Sequence, residues 1–285
     1  MKTESLLAQT QKLLRRAGLR ARKGLGQHFL IDEGALEQII STAELSADDV
    51  VVEVGPGLGV LTKELAKYAG KVVAIELDDK LAALLKESLS SFKNVTIINE
   101  DVLKIDPSAL LLDLKTKNYK VVANLPYYIT SPVLRHFLEA PIKPQSMVVM
   151  VQKEVAEEIA AKPGRMSLLS IGVQLYGEPT IVAQVPAQSF YPAPAVDSAL
   201  LKVVPYSQPP VEIADDEGFF RLVRAGFSAA RKQLANSLAQ GLGISKEDGL
   251  TLLVRAQISP HRRAESLSLE EWARLWQMYS RQNHR

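Results

Sequence analysis

The strongest constraint on this chain is a rhythm that begins at Val50. Short apolar runs recur at 50–54, 71–77, 95–99, 119–123, 147–151, 180–185 and 199–204. Amphipathic stretches separate most of them. Leu61, Leu65 and Tyr68, then Leu81, Leu84, Leu85 and Leu89, fall at helical spacing. Strand–helix alternation of this kind predicts an α/β fold, with a parallel, doubly wound sheet. The first four runs are almost wholly apolar, as strands covered on both faces should be.

After Pro205 the rhythm stops. Residues 206–210 read as a polar, proline-bearing linker. Helical patterns follow at 219–227, 231–238, 246–255 and 269–279. Ser268 with Glu271 reads as a capping box opening the last of them. The expected organisation is an α/β domain over residues 1–205, with a basic N-terminal segment at 1–31, and a small helical domain at 211–285.

Composition narrows the chemistry. An apolar share of 47 % and a charged share of 23 % are ordinary for a globular protein and exclude bulk disorder, collagen and coiled coil. The cysteine count is 0, which removes disulfides, thiolate zinc sites and cysteine nucleophiles. No stretch approaches the roughly 20 apolar residues that span a bilayer. The N-terminus lacks the apolar region of a secretory signal, and residues 5–23, basic enough to pass for a transit peptide, run straight into the patterned segment 24–30 and read as mature protein. The net charge of +2 hides a pattern: 1–31 carries +6, 32–220 carries −10 and 221–285 carries +6. Two basic ends around an acidic centre suit a polyanionic partner met at the ends.

Candidate site residues cluster at the ends of the strand runs. Glu53-Val54-Gly55-Pro56-Gly57-Leu58-Gly59 follows the first run and opens a helix. Glycines there allow a tight turn and close approach to a ligand. A nicotinamide fingerprint would place a glycine at position 60, where Val60 stands. Glu76 ends the second run, where a carboxylate can accept from both hydroxyls of a ribose. Asp101 follows the third run and can accept from an adenine amino group. Strand ends of such a sheet meet at one crevice.

Asn124-Leu125-Pro126-Tyr127-Tyr128 ends the fourth run. An adenine N6 amine is a poor nucleophile because its lone pair is delocalised into the ring. Two acceptors aimed at its N–H groups favour a more tetrahedral, reactive nitrogen. The Asn124 side-chain oxygen and the Leu125 carbonyl can supply them, with Pro126 stiffening the segment. Tyr127 offers a ring for stacking on a base.

With these residues in place, the sequence resembles the ribosomal RNA adenine N6-dimethyltransferases, and most closely the small-subunit (16S) branch. The resemblance runs from about Arg22 to Leu267. It is carried by Gly24-Leu25-Gly26-Gln27-His28-Phe29-Leu30, the glycine loop, Ile75-Glu76-Leu77-Asp78 and Asn124-Leu125-Pro126-Tyr127. Gln152-Lys153-Glu154-Val155 and the segment from Phe190 to Ser198 (FYPAPAVDS) extend it. It implies a seven-stranded, Rossmann-like class I methyltransferase sheet with a small C-terminal helical domain. It implies S-adenosyl-L-methionine as cofactor. His28 and Leu30 would close over the methionine end, with Gly55 and Gly57 against it, Glu76 on the ribose and Asp101 on the adenine. Asn124 would sit between cofactor and substrate amine, and Phe190 and Tyr127 would sandwich the flipped adenine. Read from its sequence context alone, Phe190 is a packing anchor. Arg22, Lys23, Arg231, Lys232, Arg262 and Arg263 would touch RNA. At 230 and 233 the family usually has arginine and threonine, whereas this chain has Ala230 and Gln233.

The implied activity is dimethylation of two adjacent adenosines in the 3′-terminal hairpin loop of 16S rRNA, within the small ribosomal subunit. A cytoplasmic monomer without a metal is expected. Three rivals stand beside it: a large-subunit adenine methyltransferase of the antibiotic-resistance type, an assembly factor whose binding matters more than methylation, and a nicotinamide dehydrogenase.

Overall fold

A computed structural model describes residues 4–19, 27–116, 118–229 and 231–283. Among these residues there are nine strands: β1 (Phe29–Leu30), β2 (Val50–Val54), β3 (Lys71–Glu76), β4 (Val95–Asn99), β5 (Lys120–Asn124), β6 (Ser146–Gln152), β7 (Gly177–Val185), β8 (Phe190–Tyr191) and β9 (Ser198–Pro205). Seven form one sheet in the order β4-β3-β2-β5-β6-β9-β7, and β1 and β8 form a separate antiparallel pair. Every expected run is a strand, within a few residues at its ends.

The sheet is parallel from β4 through β6, as the alternation predicts. It is not parallel throughout: β9 runs antiparallel to β6, with Met150 opposite Leu200. The short pair β1–β8 carries no period long enough to read. The two-sided burial expected of the first four strands holds for β2, β3 and β5. It fails for β4, which lies at the sheet edge and is half-exposed along its length. Apolar content alone cannot tell an edge from a centre.

Valines build the core because their branched side chains pack on a pleated surface. Val51, Val72, Val122 and Val148 lie on one face of the sheet. They meet Leu36 and Ile39 of the helix Glu33–Ala43 and Leu61 and Leu65 of the helix Val60–Tyr68. Strand order reverses between β2 and β5. That switch point opens a crevice at the carboxyl ends of the strands, where Gly55 and Asn124 follow and end their strands.

The chain divides into two units, 1–156 with 179–205 and 157–178 with 206–285. The contiguous boundary expected at residue 205 therefore misplaces 157–178. The reason is packing. The helix Leu168–Gln174 buries Ile171 and Val173, and just beyond it the Tyr176 ring lies 6.5 Å from that of Phe220. The Tyr176 hydroxyl donates to Asp216 at 2.8 Å, and Gly164 and Met166 N–H groups donate to the Glu265 carbonyl. Within this second unit, helices Asp216–Phe227, Leu234–Leu242, Lys246–Arg255 and Leu269–Asn283 gather around Trp272 and Phe219, both fully buried. Phe227 stacks on Trp272 at 5.7 Å. The capping box forms as expected, with Ser268 N–H donating to Glu271 and Glu271 N–H donating to Ser268.

Candidate active site

A cavity of about 430 Å³ lies at the carboxyl ends of β2, β3 and β5, within the first unit. That is ample for a small organic ligand. His28, Leu30, Gly55, Gly57, Glu76, Asp101, Asn124, Leu125, Pro126 and Tyr127 all line it. The sheet brings together residues spread over a hundred positions because parallel strands end at one edge.

The glycine loop forms its floor. Gly55 N–H donates to Ile75 O at 2.9 Å, and Gly59 N–H closes a turn on Pro56 O. Gly57 has φ +59°, and a Cβ there would stand 3.1 Å from the Phe29 ring. The position therefore requires glycine for both conformation and space. Glu76 clamps the loop: its Oε2 accepts from Gly57 N–H at 3.1 Å and its Oε1 from Asp78 N–H at 2.9 Å. Burial raises the Glu76 carboxyl above the usual range, against those two hydrogen bonds. Each oxygen keeps a further lone pair for a ligand hydroxyl. Asp101 Oδ1 accepts from Leu103 N–H at 3.0 Å, which orients its carboxylate.

At the end of β5, Asn124 Nδ2 donates to the His28 carbonyl at 3.0 Å. Only the amide nitrogen can donate, so this contact fixes the side chain's orientation and leaves Oδ1 as an available acceptor. Leu125 N–H is held by Met150 O at 3.1 Å. The Tyr127 hydroxyl pairs with Ser198 Oγ at 2.7 Å, and its ring stacks on His28 with centroids 5.6 Å apart. Burial raises the Tyr127 hydroxyl's pKa, with Ser198 opposing. His28 Nδ1 lies 2.7 Å from the Pro192 carbonyl. A carbonyl oxygen only accepts, so Nδ1 donates there. His28 thus holds three parts of the site at once: the Asn124 amide, the Tyr127 ring and the loop after β8.

Phe190 is placed differently from its implied role. It is absent from the cavity lining and 2 % exposed, packed in the core with Leu30, Ile39 and Leu200. Successive residues of a strand face opposite ways. The neighbouring Tyr191 therefore packs toward Leu14, Phe29, Leu58 and Leu81, the last three of which line the cavity. The sandwich partner implied for Tyr127 is a core anchor, as the aromatic-before-proline context reads on its own.

Glu53 is a lining residue to which sequence reasoning gave no role. Its side chain is buried and its Oε2 has no hydrogen-bond partner. Burial pushes its carboxyl up to about 8, the Glu76 charge adding to the effect and Thr62 opposing it. The available signal was an acid inside an otherwise apolar strand run, one residue before its end. Tyr128 also lines the cavity, and burial together with the Glu76 and Asp101 charges raises its hydroxyl's pKa. Besides the protonated Glu53, the acids Glu76, Asp78, Asp79, Glu100 and Asp101 line the cavity, with Lys80 as the one lysine among the lining residues. Such a wall favours a cationic ligand and repels a pyrophosphate, which disfavours the nicotinamide rival.

Residues 18–281 match the ribosomal RNA adenine dimethylase family. The chain belongs to that family. It is a methyltransferase. A curated relative from Dehalococcoides mccartyi, the ribosomal RNA small subunit methyltransferase A, is 53 % identical over 98 % of this chain and 95 % of its own. The crystal structure of a dimethyladenosine transferase from Plasmodium falciparum is 25 % identical, covering 90 % of this chain and 98 % of that one, with TM-score 0.75. The 23S rRNA methyltransferase ErmE is 30 % identical over 88 % of this chain and 99 % of its own, with TM-score 0.68. The seven-stranded sheet is thus the Rossmann-like sheet of these methyltransferases. No helix among the described residues is long and apolar enough to cross a membrane.

The basic residues of the second unit of this enzyme differ in their surroundings. Arg231 and Lys232 are exposed, Lys232 reaching Gln240 at 3.4 Å. Arg263 is exposed and faces Glu265 at 4.0 Å. Arg262 is engaged within the unit: it bonds Glu271 and both the hydroxyl and the carbonyl of Ser266. Burial opposes ionisation of Glu271, yet the hydrogen bonds from Arg262 and Ser268 hold its carboxyl below the usual range. Arg22, Lys23 and Ala230 lie outside the described residues. Gln233 is the N-cap of the helix Leu234–Leu242 and makes no side-chain cap bond. A threonine there would cap, so this departure touches helix stability before it touches RNA.

Proposed function

We propose that the enzyme uses S-adenosyl-L-methionine to dimethylate N6 of two adjacent adenosines in the 3′-terminal hairpin loop of 16S rRNA, within the small ribosomal subunit. The observation that carries this reading is the Asn124 amide. Its nitrogen is committed to the His28 carbonyl, and its oxygen stands free beside Leu125 at the switch point. The small-subunit target is supported by the 53 % identity to a small-subunit methyltransferase, against 30 % to ErmE.

The residues fit the cofactor. The acid-lined cavity suits a ligand bearing a sulfonium and an ammonium, and its lining residue Glu53 has a buried Oε2 with no hydrogen-bond partner. Glu76 would take the ribose and Asp101 the adenine, with Gly55 and Gly57 against the methionine and His28 and Leu30 closing over it. When bound, the cofactor supplies an already activated methyl group, so the reading asks for no metal and no strong general base. Asn124 Oδ1 and the Leu125 carbonyl would accept the two N6 hydrogens, localising the lone pair on nitrogen. Pro126 would hold that carbonyl in place and Tyr127 would stack on the base. Catalysis is then positioning and polarisation. Flipping an adenine costs a few kcal/mol, least from a loop. Arg231, Lys232 and Arg263 would hold phosphates. The enzyme would work in the cytoplasm as a monomer.

The test is transfer of tritiated methyl from S-adenosylmethionine to under-methylated small subunits, with nucleotide-resolution mapping of the product. Two adjacent N6,N6-dimethyladenosines near the 3′ end are expected. A large-subunit product would transfer the assignment to the rival class. No transfer to competent subunits would overturn it.

A further inference from the structure

We propose that the exposed face of the helix Leu6–Arg16, carrying Lys12, Arg15 and Arg16, grips the phosphate backbone of the RNA whose base enters the neighbouring cavity. The proposal rests on the RNA reading above and adds a contact surface on the catalytic unit itself.

Two faces of this helix do different things. Thr10 and Leu14, four residues apart, are buried. Leu14 shares a cluster with Phe29, Leu58 and Leu81, which line the cavity, and Leu13 and Leu19 pack against it. The helix is therefore seated on the cavity wall. Lys12, Arg15 and Arg16 are exposed and spaced three and four apart, so they share one face. Among the described residues before Phe29 the one acid is Glu4, 3.6 Å from Lys12, and both are well exposed. Exposed pairs of this kind hold little energy. Neighbouring helices carry both signs: Val60–Tyr68 pairs Lys67 with Glu64, and Asp79–Ser88 mixes acids and lysines. Helix Leu6–Arg16 carries cations only.

The cavity makes such a strip necessary. Its carboxylate lining favours a cation and repels an approaching polyanion. The base to be inserted is neutral, but its backbone is charged. A cationic strip fixed to the wall offsets the repulsion at the point where the backbone must come close. An anionic membrane is the other surface that a basic amphipathic helix could meet. It needs a free apolar face, and here that face is packed on Phe29, Leu58 and Leu81.

The test compares the full chain with its K12Q/R15Q/R16Q variant in binding under-methylated small subunits across a salt series. Three phosphate contacts predict a log–log salt slope shallower by about 2, with at least about a tenfold loss of affinity near 0.1 M salt. Cofactor affinity and Tm should stay unchanged. An R15K/R16K variant, which keeps the charge, should keep the slope. An unchanged slope in the glutamine variant overturns the proposal. So does an equal loss in the lysine variant, or binding of the helix to anionic vesicles with no effect on subunits. Failure of the wild-type chain to bind or methylate subunits would instead overturn the small-subunit reading, and the two failures are distinguishable.

Discussion

At the residue scale, the site is held in place by hydrogen bonds made before any ligand arrives. Asn124 is the clearest case. Its amide is oriented by His28 O at 3.0 Å, so replacing it removes one acceptor without loosening the glycine loop. Asn124→Ala is expected to lower kcat by about 10²–10³-fold, the scale of losing one aimed polar group. Cofactor affinity, read by titration calorimetry, should change far less. Glu53 gives a pH signature. Its folded value of about 8 stands above the ordinary 4.5, so the native state keeps a proton that the unfolded chain has released. Its contribution is full below pH 4.5 and is lost as pH rises through 8. Between those values it lowers stability by about 1.4 kcal/mol per pH unit. Denaturant midpoints of the ligand-free protein should show this slope, and the near-isosteric Glu53→Gln should flatten it. Parallel curves for the two proteins would refute the assignment.

At the element scale, the sheet was legible and the two ends of the story were not. Valine-rich runs between helical periods can hardly be anything but parallel strands, and Gly55, Glu76, Asp101 and Asn124 follow from their positions at run ends. The pair β1–β8 was invisible because two residues carry no period. Its loss hid the true place of Phe190, whose side is decided by strand alternation against Leu30. The helical unit misled in another way. Arg262 and Arg263 are adjacent in sequence, yet only Arg262 is bound into the Glu271 capping box. Arg262→Gln should therefore lower Tm. Arg231→Gln should leave Tm unchanged and weaken subunit binding, measured by filter retention. The reverse pattern would exchange their roles.

At the scale of the whole molecule, the net charge of +2 is a sum of opposing regions. The acidic part holds the cavity and the basic parts lie at the two ends of the chain. The two binding events should respond differently to salt. Subunit affinity should fall steeply with ionic strength, because phosphate contacts release counterions. Cofactor affinity should change little, because charges inside a cavity are screened less than exposed ones. Parallel titrations at several salt concentrations would read both slopes, and equal slopes would contradict this division of charge. The sequence could suggest the division only in outline. Which cations are exposed, as Arg15 and Arg231 are, depends on side-chain packing that composition does not encode.

The orientation of one amide has a final consequence. On the proposed roles, Asn124 Oδ1 and the Leu125 carbonyl offer two acceptors, and an unmodified adenine amine offers two hydrogens. Each methyl transferred removes one. The monomethyl base satisfies a single acceptor and must turn its remaining hydrogen before reacting again. The dimethyl base satisfies neither. The site would thus count its own turnovers, loosening its hold in two steps and releasing the base when nothing is left to add.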